Sequence, residues 1–406
     1  MKKMRRTIHM VLALCFVVGL FFILTVPNVG LAAEPKEIVV GTPESITGAG
    51  APFGIYQGWA YSTLVNDINK KGGMYMSKYK KKLPVRLVVY DEESVPDKAV
   101  QAVERLILKD KVHALFSTGN PSLVLPSARI AEREGIPMSA ASCPIHLFLN
   151  AAPKGGWKWA WDIFFDEMDM TRQQYLTMDT VQSNKKVALL TDNSGSAVGL
   201  GDLWKKNAAE MGYTIVVDGT FPIGTSDFGD MIRRAKEAGA DIVISDLLPP
   251  DSIALWKQMR TLGYKPKAAF FEKGGEPVEW WQANGQAAQG TMVVGYWSPR
   301  LPYPGAREIK ERFEKDRGQT YSQHIIDYYT AGSVMLDAIE RAGDVDPKAI
   351  NAEMAKTNKS CEVGTVKYDA NHVFALPSFM FQWQNGNTEI VYPPKLATAK
   401  MIYPLP

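Results

Sequence analysis

Short apolar runs alternate with amphipathic stretches along most of this chain, and that order predicts strands alternating with helices. Glu37-Ile-Val-Val-Gly41 is an apolar run closed by Gly, the pattern of a buried strand. A Gly/Ser/Thr/Pro loop runs to Gly54, and a helix is predicted over Tyr56–Lys70, with Trp59, Leu64, Val65 and Ile68 on one face. Gly72-Gly73 ends it. Strands are predicted at Leu83–Tyr90, at Val112–Ser117 and around Ile136–Ser139, with helices at Asp97–Lys109 and Ser122–Glu134 between them. No hairpin signal interrupts the series, which is the pattern of a parallel sheet covered by helices.

The alternation restarts after about residue 160. Strands are predicted at Lys186–Leu190, Tyr213–Val217, Asp241–Ser245, Ala268–Phe271 and Thr291–Tyr296. Helices fall at Leu200–Met211, Phe228–Ala238 and Ser252–Leu262, then at Ala306–Arg317 and Asp327–Ala342. From Glu362 onward, alternating apolar residues read as strands. Two successive α/β units in 406 residues predict two lobes with a binding cleft between them. Trp157, Trp159 and Trp161 recur at period two, which places them on one face of a strand, at the cleft or in the lobe packing.

The first 33 residues break this pattern. Lys2, Lys3, Arg5 and Arg6 precede an apolar run from about Met10 to Val26, followed by Pro27 and the small residues Gly30, Ala32 and Ala33. That order predicts an export signal cleaved after Ala32 or Ala33, with an uncleaved anchor as the alternative. Cys15 sits inside the apolar run behind Leu14 and reads as part of the signal. Removing this segment takes the formal charge from +3 to −1, with 42 basic against 43 acidic residues left. The basic balance of the full chain is therefore a targeting feature, and no nucleic-acid partner is expected. Cys143 and Cys361 remain, and a disulfide between them is left open, because sequence does not give their geometry.

Ligands of open parallel sheets bind outside the C-terminal ends of the strands. Three polar loops occupy such ends in the first unit: Ser45–Phe53, Ser117–Asn120 and Ala140–Ser142. Hydroxyls of Ser117 and Ser142 with nearby backbone N–H groups would hold a carboxylate without a countercharge; the same serines would equally serve as helix caps. Signs of catalysis are weak. Gly48, Gly50 and Gly54 are spaced G-x-G-x-x-x-G rather than as a dinucleotide loop, and neither a G-x-x-x-x-G-K-[ST] loop nor H-E-x-x-H occurs. His113, His146, His324 and His372 show no metal-ligand spacing, and no base is signalled beside either serine. A binding protein without cofactor or metal is expected.

Several stretches resemble one family, the periplasmic binding proteins for branched-chain amino acids and related solutes. They are Ile46-Thr47-Gly48 with Phe53-Gly54, Gly58 and Asp67–Gly73; Tyr90-Asp91 with Ser94, Pro96, Ala99 and Val100; Phe116–Gly119; Ile136-Pro137 with Ala140–Pro144; and Tyr328–Gly343 with Gly364 and Tyr368-Asp369. The resemblance implies an α/β fold of two doubly wound parallel-sheet lobes joined by a three-segment hinge, the type I periplasmic binding fold. It implies a first lobe from 34–160 and 297–360 and a second from 161–296 and 361–406. By match of position it implies that Ser117 and Ser142 hold a ligand carboxylate and that Ala140 offers a backbone carbonyl. Glu272, or Asp246 in its place, would pair with an ammonium group, and Phe53 would lie over the ligand. Val198-Gly199 stands where the family has Tyr-Gly, so one aromatic contact is missing and a branched-chain amino acid is put in doubt. The role implied is the monomeric extracytoplasmic binding component of an ABC transporter, delivering a small amino acid or carboxylate to permease subunits. The alternative is a sensor presenting that solute to a receptor.

Overall fold

In the computed structural model, which describes residues 34–48 and 50–406, two helix-covered sheets form where the two units are predicted. The expected leader lies outside the described residues. Strand β1 (Ile38–Glu44) is followed by a small antiparallel hairpin, β2 (Met74–Met76) and β3 (Lys81–Leu83), which carries no Gly, Asn or Asp turn signal in the sequence. Then come β4 (Val85–Asp91), β5 (Ala114–Phe116), β6 (Met138–Ala141) and β7 (Ala160–Phe165). The second unit supplies β8 (Lys186–Asp192), β9 (Thr214–Phe221), β10 (Ile242–Asp246), β11 (Ala268–Phe271) and β12 (Met292–Gly295). A second small hairpin, β13 (Lys359–Cys361) and β14 (Gly364–Val366), precedes β15 (Val373–Leu376), β16 (Phe379–Gln384) and β17 (Asn387–Tyr392).

The first sheet has the order β4-β1-β5-β6-β7-β15 and is parallel throughout. The second runs β9-β8-β10-β11-β12-β16-β17, parallel except for its last two strands. Both strand orders reverse once, at β1/β5 and at β8/β10. A reversal parts the loops leaving the two strands and opens a crevice at their C-terminal ends.

Pairing also shows where the chain changes sheets. Residues 161–165 and 373–376, expected in the second lobe, lie in the first sheet. Trp161, Ile163 and Phe164 of β7 are all buried, so this strand is covered on both faces and suits a sheet interior. The chain thus passes to the second sheet after Phe165, returns after Gly295 and passes again after Leu376.

One further expectation changes, and the state of the two cysteines, left open by the sequence, is given by the structure. The three tryptophans do not share a face, because the strand begins only at Ala160. Trp157 stacks on Phe148, 4.8 Å between centroids, in one core cluster. Trp161 stacks on His372 at 3.5 Å in another, and Trp159 is half-buried beside Gly135. Cys143 and Cys361 are both buried as free thiols, in separate clusters. Burial pushes the Cys361 thiol up to about 12 and that of Cys143 higher still, so neither is reactive.

Asp162 is a costly residue to bury in the first sheet. It is fully buried on β7 and neither carboxylate oxygen has a hydrogen-bond partner. Burial, with the charge of Asp327 adding, drives its pKa well above the usual 3.8. The folded state therefore holds the neutral acid and loses stability as pH rises above that value, where the unfolded chain ionises. Asp162→Asn keeps the shape and removes this titration. It should stabilise the protein by about 1–3 kcal/mol at pH 7, with the gap closing toward pH 4. Urea unfolding at the two pH values measures this; a variant less stable than wild type at pH 7 would contradict it.

Candidate functional site

At the first reversal, loops from β1, β4 and β5 meet on one buried carboxylate. Glu92 Oε1 accepts the Ser45 hydroxyl at 2.7 Å and also the Thr118 hydroxyl. Asp91 beside it takes the Thr47 hydroxyl at 2.7 Å and backbone N–H at 3.2 Å. The acidic run after β4 thus shapes the loops. Gly54 is required here, since a Cβ would lie 2.0 Å from the Ser45 carbonyl oxygen.

Ser117 and Ser142 lie at the same edge and differ in availability. The Ser117 hydroxyl accepts the Ala141 N–H at 2.9 Å and donates to the Ala141 carbonyl at 3.1 Å, which stitches β5 to β6. Its own carbonyl takes the Thr42 hydroxyl and the Gln57 amide, both at 2.9 Å. Ser142 stands just past β6 with φ +56°, a backbone bend that turns its hydroxyl away from the ladder. That hydroxyl makes a weak contact to Asp327 Oδ2 at 3.4 Å and also interacts with the Tyr328 hydroxyl. Ala140 is a fully buried β6 residue in register with Asp162.

The second reversal is charged. Lys273 Nζ lies 3.2 Å from Asp246 Oδ2 at the end of β10, 3.5 Å from Asp192 Oδ2 at the end of β8 and 3.1 Å from the Ser194 hydroxyl. Both aspartates are fully buried, while the lysine keeps 28% of its side chain exposed. Burial raises Asp246 above the usual carboxylate range, against the pull of Lys273. Glu272 points into its own lobe. Its carboxylate accepts the Gln174 amide at 2.6 Å and the Val294 N–H at 3.2 Å, and burial pushes it up to about 8, with Asp246 adding to the rise. Both residues open the short helix Glu272–Gly275 that follows β11; Glu272 is buried within the lobe, while the Lys273 ammonium reaches across to the ends of β8 and β10.

The returning crossover adds a polar cluster that carried no sequence signal. Tyr296 donates to Asp327 Oδ2 at 3.0 Å, and its oxygen lies 2.9 Å from His324 Nδ1, itself 3.3 Å from that carboxylate. Burial lifts Asp327 to about 6, while its carboxylate raises His324. The His324 ring meets Phe53 edge-on at 5.0 Å. Both rings line a cavity of about 860 Å³ whose walls come from the two lobes. Ser117, Ala140 and Ser142 share the first sheet's edge and Asp246 and Glu272 the second's; Phe53 instead faces this cavity, which none of those five lines. Among the described residues no group of three His, Cys, Asp or Glu side chains is placed to hold a metal ion, and no helix is long and apolar enough to cross a membrane.

The periplasmic binding protein family matches residues 37–388. The Leu/Ile/Val-binding protein homolog 7 of Brucella suis biovar 1 is 22% identical over 393 residues, covering 92% of this chain and 96% of that protein. The fold is shared with the branched-chain amino acid transporter substrate binding protein of Streptococcus pneumoniae in complex with isoleucine (TM-score 0.71, 20% identity, 91% of this chain and 100% of that one). It is shared also with a solute binding protein from R. palustris in complex with benzoate (TM-score 0.68, 18% identity, 90% and 97%).

Ser117 should prove chiefly structural. Ser117→Ala leaves the buried Ala141 N–H without its acceptor, a loss of about 1–3 kcal/mol. Thermal unfolding should show a midpoint lowered by several degrees. An unchanged midpoint would show that the strand pair does not need the hydroxyl.

Proposed function

The chain belongs to the periplasmic binding protein family, a family of solute-binding proteins rather than enzymes, and on that premise we propose that it binds a small carboxylate-bearing solute for an ABC transporter. The family places it outside the cytoplasm. The finer reading is a protein exported to the periplasm, acting as a monomer and handing its solute to permease subunits. Attachment to a receptor instead of a permease is the alternative.

The observation that carries the ligand class is the occupancy of the acidic side chains. Glu272 is engaged by Gln174 and Val294, and Asp246 by Lys273, so neither offers a ready partner to an ammonium group. Ser142, by contrast, exchanges a weak 3.4 Å contact for a charge-assisted bond when a carboxylate arrives. A simple organic acid fits these groups, as benzoate does the R. palustris protein. The second reading, an amino acid, is supported by the isoleucine complex and by the excess of acid over base at the second reversal.

Calorimetric titration separates the two. Ser142→Ala should weaken a carboxylate ligand by about tenfold or more, and undiminished affinity would remove Ser142 from the site. Glu272 with a pKa near 8 is mostly neutral at pH 7. An amino acid that pairs with it must first drive off that proton, so its affinity would rise from pH 7 to pH 9 and lose this rise in Glu272→Gln. Benzoate should bind with the same affinity across that range and to the variant. A rise for isoleucine together with no benzoate binding would favour the amino acid.

A further inference from the structure

The cavity beside Phe53 is large for a small solute. At about 860 Å³ it lies in the upper part of the roughly 300–1,000 Å³ range of small-molecule sites. An aromatic part of its wall converges from three directions, with Phe53 and Tyr56 on the first lobe, Trp297 on the returning crossover, and Phe381 and Trp383 on the second lobe; charged side chains such as Glu276, Arg307 and Lys310 make up the rest of the lining. Phe53 is 39% exposed, a large ring left uncovered at the wall although fully packed aromatic clusters lie close by. The space is next door to the carboxylate site. His324 forms part of its lining, and the same Asp327 oxygen that contacts His324 also receives the Ser142 hydroxyl.

We propose that this cavity is the compartment for the ligand's apolar end, and that the solute is a carboxylic acid whose tail is longer than a branched-chain aliphatic side chain. This deepens the reading above and rests on it, because the carboxyl end is placed at Ser142. A head on the first sheet's edge and a tail between lobes would let one molecule touch both lobes, so that its apolar length stabilises the closed arrangement. Phe53 and His324 stand between head and tail, where they select for tail shape.

Titration of refolded, ligand-free protein with butanoate, hexanoate and octanoate tests the proposal. Each methylene entering an apolar compartment is worth a fixed increment, so affinity should rise about tenfold for every two methylenes. Val278 lines the cavity from the second lobe and is exposed, which makes Val278→Trp a filling variant that need not disturb the core. It should weaken octanoate by tenfold or more and leave butanoate unchanged. Ser142→Ala should weaken all three acids equally. Equal affinity for the three acids, or a rising series indifferent to Val278→Trp, overturns the compartment while sensitivity to Ser142→Ala preserves the carboxylate reading. Failure of all three acids to bind overturns both.

Discussion

Tyr296 is where the two sheets are pinned. Its hydroxyl rests on Asp327, while its ring lies 5.5 Å from Phe164 and 5.6 Å from Phe165, at the point where the chain first leaves the first sheet. Two of the three crossovers therefore converge on one buried contact. Keeping a carboxylate there has a cost, seen in its rise to about 6. Losing a hydrogen bond to a buried group typically costs about 1–3 kcal/mol, so the contact behaves as a fixed point. Rotation of one lobe against the other has to pivot about Tyr296 rather than pull it from Asp327.

The same economy of charge governs both rims. Glu92, Asp192, Asp246 and Glu272 all sit buried at strand ends, and each is held by donors from its own lobe. They organise loops, and the charges that face the cleft come from other residues: Lys273 at the second reversal, and Glu276, Arg300, Arg307 and Lys310 around the cavity. The four strand-end carboxylates are already out of water and hydrogen-bonded, so closing the lobes adds nothing to the cost of burying them.

Much of the architecture was legible in the chain. The helix Ala306–Arg317 lies where the pattern put it, because Gly305 and Gly318 mark its ends and Ile309 and Phe313 its buried face. The first long helix begins at Ala51, five residues earlier than expected; Pro52 reads as a breaker but is tolerated in a first turn, where no N–H is needed. The helix Glu167–Met178 carries no clear apolar period, because Thr171, Gln173, Gln174 and Thr177 share its buried positions with Tyr175 and Met178. At the site, the family likeness located the strand-end loops, yet not which groups were free. Ser117 and Ser142 look alike in sequence, and only the bend after β6 separates them. The contact of Ser142 with Asp327 spans 185 residues, and no local pattern reports a partner so remote. The sequence singles out Glu272 rather than Lys273 because the partners that decide their directions, Gln174 and Val294 for the one and Asp192 and Asp246 for the other, lie 22 to 98 residues away.

The strand orders have a bearing on how the polypeptide reaches this state. β15, the outer strand of the first sheet, and β16 and β17, the outer strands of the second, all come from residues 373–392. Phe379, Phe381 and Ile390 of this segment are buried in the large cluster that also holds Ile38 and Val40 of β1. Neither lobe can seal its core until a segment some 330 residues downstream of the first strand has arrived. Contacts of such separation fold slowly, since the loop must close before burial repays it. A chain threaded through a membrane from its N-terminus would accordingly remain open for most of its passage, with both hydrophobic cores waiting on its last strands.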